Sequence, residues 1–385
     1  MKTVKDFLRQ KIGILGGGQL GKMLCQSGSR WGLDMHVLDH DPTFPAGQVN
    51  PHFVIGDFNN EEDVFSFGID KDVITIEIEH VAVSALERLQ QEGVAVYPDP
   101  SVLRIIQDKG EQKQFFTRHG LPTSPFRLYP DKQAIIEAIA NGSELLPFVQ
   151  KTRTAGYDGR GVAVIYAQNE LEKLLEGPSI IEDLITMQRE VAVIVARDVK
   201  GGIRAFPAVE MRFNMDANLV EMLLCPANLT PAQEEEAQAL AIEVASIFQT
   251  VGLLAVEMFQ TPDGHFLVNE VAPRPHNSGH HTIECCDISQ YDQHLRAITG
   301  LPLGEPILNR PGVMINILGE PGYAGAPIYS GWEACLQIPG VHMHLYGKSE
   351  TRPYRKMGHV TITSDTLEEA IQKAERVQNT LKVIA

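Results

Sequence analysis

The first hundred residues carry a strand–helix–strand rhythm. A short apolar run at 11–15 (KIGIL) leads into the turn GGGQLG, then a helical pattern at 22–31 and a second apolar run at 35–38. A further strand is expected at 73–78, a helix at 84–91 and a strand at 94–97. Such alternation predicts a parallel sheet with helices on its faces. Prolines 98, 100, 122, 125 and 130 punctuate the exit, which places a boundary near residue 120. From 147 to 195 the apolar runs lie closer together, with a glycine-rich turn between two of them. A helix is expected over 231–250, with Thr230 as N-cap, Pro231 at the first position and glutamates in the first turn. Short strands and a late helix beginning near Thr366 fill 305–385.

Composition narrows the possibilities. The 385 residues suffice for two or three domains, and 43% hydrophobic with 21% charged residues is ordinary for a globular chain. No apolar run reaches the ~20 residues of a membrane span, and the N-terminus lacks the pattern of a secretory signal. Five cysteines without a C-x-x-C pair predict free thiols and a cytoplasmic setting, not a disulfide framework or zinc site. A net charge of −16 disfavours nucleic acid and membrane surfaces, so an anionic ligand needs Lys and Arg gathered locally.

Four stretches carry candidate chemistry. GGGQLG has Gly16, Gly18 and Gly21 in G-x-G-x-x-G spacing between strand and helix, with Asp39 ending the next strand. That context admits NAD, another phosphate-bearing ligand or simple close packing. VQKTRTAGYDGRGVAVI sets Lys151 at a strand end before a glycine turn, a hairpin able to fold over phosphates. In SIIEDLITMQREV, a linker between strands can offer backbone groups to a base edge, and Glu190 can accept ribose hydroxyls. The fourth stretch, LLAVEMFQTPDGHFLVNEV, reads as a hairpin around Pro262, Asp263 and Gly264. A two-residue loop sets Glu257 directly opposite Glu270, a four-residue loop makes them diagonal neighbours, and an odd loop separates them onto opposite faces. Two adjacent carboxylates repel unless a hard divalent cation joins them, and magnesium prefers carboxylates plus phosphate oxygens. Just beyond, His276 and His280 have the i, i+4 spacing of a metal pair, but Pro273 and Pro275 argue for a loop. Arg274 suits an anion clamp.

Together, GILGGGQLG, QDKGEQKQFF, QKTRTAGYDGRGV, IIEDLI, VEMF with FLVNEVAPRPHNSGHHT, and RPYRKMGHV resemble the ATP-grasp enzymes. More closely they resemble the 5-(carboxyamino)imidazole ribonucleotide synthase family of purine biosynthesis, from Lys11 to about residue 364. The resemblance implies an α/β (α+β overall) ATP-grasp architecture. A Rossmann-like N-terminal domain would span 1–120, an α+β lid domain 121–195, and a C-terminal α+β domain 196–385 with a small β-rich part from about 305. The implied reaction carboxylates the exocyclic amine of 5-aminoimidazole ribonucleotide, using ATP and bicarbonate, with magnesium or manganese as metal and a homodimer as assembly.

By the same resemblance, Lys109 and Lys151 hold ATP phosphates, and Gly156, Tyr157, Asp158, Gly159, Arg160, Gly161 and Val162 form the flap. Glu182, Asp183, Leu184 and Ile185 line the adenine, Glu190 meets the ribose, and Glu257 and Glu270 bind metal with Asn269 beside them. Gln19, Leu20 and Glu77 match positions for the aminoribonucleotide. Tyr157 and Arg160 would face it on closure, and Asp158 would move the amine proton. Arg274 and His276 take the bicarbonate and substrate end. Lys348 and Arg355 grip the ribose phosphate; from the residues alone those two read as charges on a solvated loop. The sequence departs from the family pattern at Phe213/Asn214, where relatives carry a His, at Ala155 before the flap, and at Ala272, where many relatives have Asn. Three alternatives stand: a sister ligase acting on another amine such as glycinamide ribonucleotide, an NAD-dependent oxidoreductase, and a non-catalytic nucleotide-binding subunit.

Overall fold

The computed structural model describes residues 7–154, 161–214 and 219–385. Flap residues Ala155, Gly156, Tyr157, Asp158, Gly159 and Arg160 lie outside them.

The chain opens with β1 (Lys11–Leu15), α1 (Gln19–Ser29), β2 (Asp34–Asp39), β3 (Phe53–Ile55), α2 (Glu61–Gly68), β4 (Val73–Ile76), α3 (Val83–Gln91), β5 (Ala95–Val96) and α4 (Pro100–Ile106). These strands form the expected parallel sheet, in the order β3-β2-β1-β4-β5. Helix α1 starts three residues before the apolar periodicity does, because its first amides are capped from outside. Glu77, just past β4, accepts from the N–H groups of Gly18 (2.9 Å) and Gly21 (2.7 Å). Such a cap comes from a distant strand and leaves no local signal. The strand expected over 73–78 ends at Ile76, where the chain turns to present that carboxylate.

Next come α5 (Lys109–Arg118), β6 (Phe126–Tyr129), α6 (Lys132–Ala140), β7 (Phe148–Thr152), β8 (Val162–Ile165) and β9 (Ser179–Asp183). The four strands pair antiparallel in the order β6-β9-β7-β8. Asp108 caps α5 by accepting from the N–H groups of Gly110 and Glu111.

The largest sheet holds β10 (Arg189–Arg197), β11 (Ile203–Ala205), β12 (Val209–Asn214) and β13 (Leu219–Cys225), then, after α7 (Pro231–Phe248), β14 (Gly252–Gln260) and β15 (Phe266–Ala272). After α8 (Thr282–Cys285) and α9 (Gln290–Thr299) it continues through β16 (Gly312–Leu318). A final segment adds β17 (Ile328–Ser330), α10 (Trp332–Leu336), β18 (Val341–Leu345), β19 (Lys356–Thr363), α11 (Leu367–Thr380) and β20 (Lys382–Ile384). The order is β15-β14-β10-β12-β13-β16-β19-β18, with β11 on the edge of β10. Helix α7 has the expected start, with Thr230 as N-cap and Pro231 at N1, and Gln233, not part of that expectation, completes a reciprocal capping box. It packs on the face bearing Val191, Val193, Val195 and Val256.

What positions the site is the docking of the parallel sheet onto α9. Tyr291, Leu295 and Ile298 share one core with Ile12, Ile14, Leu24 and Val37. Two buried polar contacts fix the orientation: the Ser27 hydroxyl donates to Asp292, and Thr75 Oγ1 lies 2.8 Å from His294 Nε2. The carboxyl ends of β1, β2 and β4 therefore face the loop that follows β15.

Candidate active site

The β14–β15 hairpin corrects an expectation in an instructive way. Its loop, 261–265, has five residues between Gln260 and Phe266, an odd number that alone would separate the two acids. A β-bulge restores the pairing. The register runs Gln260↔Phe266, Phe259↔Leu267 and Met258↔Val268, then skips Asn269 so that Glu257 faces Glu270. Burial follows the bulge: Val268 and Val271 sit in the core with α7, while Asn269 and Glu270 between them are only half-buried. One extra residue thus delivers two consecutive side chains to the same side, which strict alternation forbids. Glu190 joins them, since it sits two residues from Ala192, which pairs with Glu257.

Lysines from two other elements converge on these acids. Lys109, first residue of α5, pairs with Glu270. Its backbone N–H donates to Arg153 O across from the flap-bearing strand (2.8 Å). Lys151 donates to Asn269 Oδ1 (2.8 Å) and sits 3.1 Å from Glu182 Oε1. The Lys109 ammonium outweighs desolvation and holds Glu270 well below the usual carboxylate range, although 40% of that side chain meets solvent. Glu257 goes the other way, pushed up by burial and by the charges of Glu270 and Glu190. Burial, with a further push from Glu270, raises Glu190 to about 7 against the pull of Lys151. Three acids crowded together with two of them pushed toward the neutral form fit a divalent cation, whose arrival would let Glu257 ionise. Among the described residues no group of three or more His, Cys, Asp or Glu is arranged as a metal cluster. A two-carboxylate site completed by ligand oxygens remains the fit. His280 is buried, with Nδ1 2.8 Å from the Tyr291 hydroxyl.

From the paired acids the site runs toward the parallel sheet. His276 Nε2 lies 3.6 Å from Glu257 Oε1, and its Nδ1 lies 2.8 Å from Ser278 Oγ. Burial and nearby Arg274 lower its pKa to about 4, so the ring is neutral near pH 7. Arg274 is an ion-pair partner of Glu79, Nε to Oε1 2.7 Å. Burial alone would raise Glu79, but that guanidinium outweighs it and the net direction is down.

Beyond lies the glycine loop, and its amides are taken. Gly17 N–H donates to Asp39 Oδ2 (2.6 Å), and Gly18 and Gly21 donate to Glu77. Gly16 adopts φ +104°, and a Cβ there would meet Glu77 Cγ at 2.5 Å. Asp39 is buried, and its other oxygen accepts from His40 N–H, so it is not free for a nicotinamide cofactor's ribose. Gln19 and Leu20 begin α1 beside this nest.

Lys348 and Arg355 lie in the loop between β18 and β19. Lys348 Nζ donates to Lys356 O (2.7 Å) and sits 5.5 Å from the Tyr346 ring; Arg355 donates to Glu350 O (2.8 Å). This loop is tied to the glycine-loop side by Lys22, which donates to Leu345 O (3.0 Å) and Tyr346 O (3.1 Å), and by Gln48, which donates to Gly347 O (2.6 Å). At the opposite end, Glu182 is buried, the Asp183 carboxylate pairs with Arg127, and Leu184 stands exposed ahead of Ile185. Gly161 and Val162 close the flap's described end, where Thr152 N–H donates to Gly161 O. The structure therefore brings Lys109, Lys151, Glu182, Asn269, Glu270, Glu257, His276 and Arg274 into one contiguous set. Sequence reasoning missed Glu79 and Lys22, whose partners lie more than 150 residues away with no local motif to mark them, and gave no part to Lys113, although it stands in QDKGEQKQFF.

The fold and this set of groups define an ATP-grasp protein. Residues 9–107 match the ribonucleotide synthetase preATP-grasp domain model, 114–291 the ATP-grasp domain, and 312–373 the phosphoribosylaminoimidazole carboxylase C-terminal domain. The N5-carboxyaminoimidazole ribonucleotide synthase of Bacillus subtilis is 37% identical, with 94% of this chain and 93% of that protein covered. A crystal structure of N5-carboxyaminoimidazole synthase from Aspergillus clavatus, in complex with ADP and 5-aminoimidazole ribonucleotide, superposes with a TM-score of 0.89. The two are 34% identical, over 97% of this chain and 99% of that one. The chain belongs to the N5-carboxyaminoimidazole ribonucleotide synthase family. It also matches the chloroplastic phosphoribosylaminoimidazole carboxylase of Vigna aconitifolia at 38% identity over 92% of its length, but spans only 64% of that longer protein.

Proposed function

We propose that this chain is an ATP-dependent carbon–nitrogen ligase that carboxylates the exocyclic amine of 5-aminoimidazole ribonucleotide, with bicarbonate as carbon source. The observation that carries this reading is the unbroken line of groups from Glu270 and Glu257 through His276 and Arg274 to the glycine loop and the Lys348 loop. It has a cationic, carboxylate-flanked end suited to a nucleotide triphosphate and a second end suited to a phosphorylated ribose. The Aspergillus clavatus relative, solved with ADP and 5-aminoimidazole ribonucleotide, supports both ends.

In this mechanism Lys109 and Lys151 hold the β- and γ-phosphates, Glu182 to Ile185 receive the adenine, and Glu190 accepts the ribose hydroxyls. Glu257 and Glu270 would hold magnesium, or manganese, which supplies charge neutralisation on the phosphate oxygens. A bicarbonate oxygen, oriented by Arg274 and His276, attacks the γ-phosphorus; the bond to ADP breaks and carboxyphosphate forms. The amine nitrogen then bonds to the carboxyl carbon, either of carboxyphosphate itself or of CO2 released from it, phosphate departs, and the nitrogen loses a proton, for which Asp158 of the flap is the proposed acceptor. Tyr157 and Arg160, with Gly156, Gly159, Gly161 and Val162 around them, would shield the intermediate from water. Gln19, Leu20 and Glu77 position the aminoimidazole, and Lys348 and Arg355 its 5′-phosphate.

No described helix is long and apolar enough to cross a membrane, and all five cysteines are free and buried, as suits a cytoplasmic setting; a homodimer rests on the family resemblance alone. The reading is tested by phosphate release from ATP, with and without bicarbonate and with each candidate amine. Release is expected to need bicarbonate and 5-aminoimidazole ribonucleotide together for full rate. Full stimulation by glycinamide ribonucleotide instead would reassign the substrate, and none with any amine would leave a nucleotide-binding subunit.

A further inference from the structure

Among the described residues Lys113, 2% exposed, is with Lys71 one of two buried lysines, and no role above uses it. It sits one helical turn after Lys109 on α5, facing inward. Its ammonium donates to Thr123 Oγ1 (2.7 Å) and Ser124 Oγ (2.9 Å) and lies 3.4 Å from Glu182 Oε2. Those three partners match the three N–H donors of an ammonium. The same Glu182 carboxylate accepts from Ser124 Oγ (2.7 Å) and faces Lys151 on its other oxygen (3.1 Å). Lys151 in turn reaches Asn269, the bulge residue beside Glu270. Buried charge alternates along this row, from Lys113 to Glu182 to Lys151, and ends at the paired acids of the hairpin.

We propose that Lys113 is a positioning residue: it anchors the Glu182 carboxylate so that Lys151 stays shared between Glu182 and Asn269, with its remaining donor directed to the nucleotide phosphates. A carboxylate facing Lys151 alone would draw that ammonium into a closed pair and away from the ligand. Thr123 adds a mechanical link, because its hydroxyl also donates to Val268 O immediately before the bulge (2.7 Å). Lys113 therefore touches the strand end that carries Glu182 directly and reaches the strand that carries Asn269 and Glu270 through the Thr123 hydroxyl. The inference rests on the reading of this pocket as the ATP site.

Its charge state gives a distinctive readout. Burial lowers its pKa to about 8; Glu182 and Glu270 oppose that fall, and Lys151 adds to it. Those are the charged groups facing it, from β9, β15 and β7. Lys113 is charged below that pH and loses its proton above it, so ATP affinity is expected to weaken as pH rises through about 8.

The test is ATP affinity and steady-state kinetics against pH for the full chain and two variants. Lys113→Met should raise the KM for ATP about tenfold or more, leave that for the aminoribonucleotide near wild type, and remove the alkaline weakening. Adding Lys113→Met to Glu182→Gln should cost little beyond Glu182→Gln alone, because the lysine acts through that carboxylate. Additive losses, or an equal rise in both KM values, would overturn the proposal. If Lys113→Met does not fold, the profile of Glu190→Gln decides, free of that acid's own titration: affinity that holds constant from about pH 7 to 9.5 overturns the assignment. A wild-type protein that binds no ATP overturns the functional reading as well, whereas intact wild-type binding with an unaffected Lys113→Met variant removes only this inference.

Discussion

The glycine loop after β1 and the bulged hairpin of β14 and β15 both gather acids, and they do opposite things with them. At the glycine loop, Asp39 and Glu77 accept from the amides of Gly17, Gly18 and Gly21, so the chain fills its own anion nest. At the hairpin, Glu257 and Glu270 face one another with Glu190 nearby, and the chain supplies Lys109 and Lys151 from two separate elements without neutralising all three. The first arrangement satisfies the loop's amides, although burial still pushes Glu77 up. The second leaves Glu257 pushed toward its neutral form, a conflict that a bound cation relieves. The more recognisable motif is thus the less reactive place, and nucleotide chemistry belongs where the electrostatics are unresolved.

The strongest way to break that contrast is Glu270→Gln. It should reduce ATP turnover on the order of 10³-fold with an unchanged circular dichroism spectrum, and near-normal bicarbonate-dependent phosphate release would refute the hairpin assignment. Lys348→Ala comes next: a rise of about 100-fold in KM for the aminoribonucleotide is expected, with that for ATP little altered, and equal effects would remove Lys348 from the phosphate grip. Asn269→Ala should weaken ATP roughly tenfold, through the Lys151 contact alone, and spare the aminoribonucleotide. The smallest effect concerns Glu190. It is protonated below about 7 and ionised above, so KM for ATP should fall as pH rises through that value. Glu190→Gln should flatten a change of only a few-fold, roughly, and a profile identical to wild type would exclude Glu190 from the ribose contact. On the other side of the comparison, titration with NADH should give no binding signal, since Asp39 is committed to Gly17.

Much of this was legible in the residues. The parallel sheet followed from alternating patterns, and the start of α7 from Thr230 and Pro231. The pairing of Glu257 with Glu270 followed only conditionally. Loop length was the stated criterion, and the five-residue loop meets the wrong branch of it; the bulge at Asn269 reverses the outcome. A bulge of this kind has no glycine or proline to announce it. Glu77 as a cap for α1 and Glu79 as partner to Arg274 were equally hidden, because each joins positions 56 and 195 residues apart. The Lys348 loop shows the limit from another side: its place beside the glycine loop depends on Lys22 and Gln48, and without the family resemblance its charges read as solvent-facing.

The claim that the hairpin acids hold a metal-bound nucleotide is tested most directly by calorimetric titration of ATP at increasing magnesium, for wild type and a Glu257→Gln/Glu270→Gln variant. The account predicts that magnesium strengthens ATP binding in the wild type and has no such effect in the variant. Magnesium dependence retained in full by the variant would contradict it.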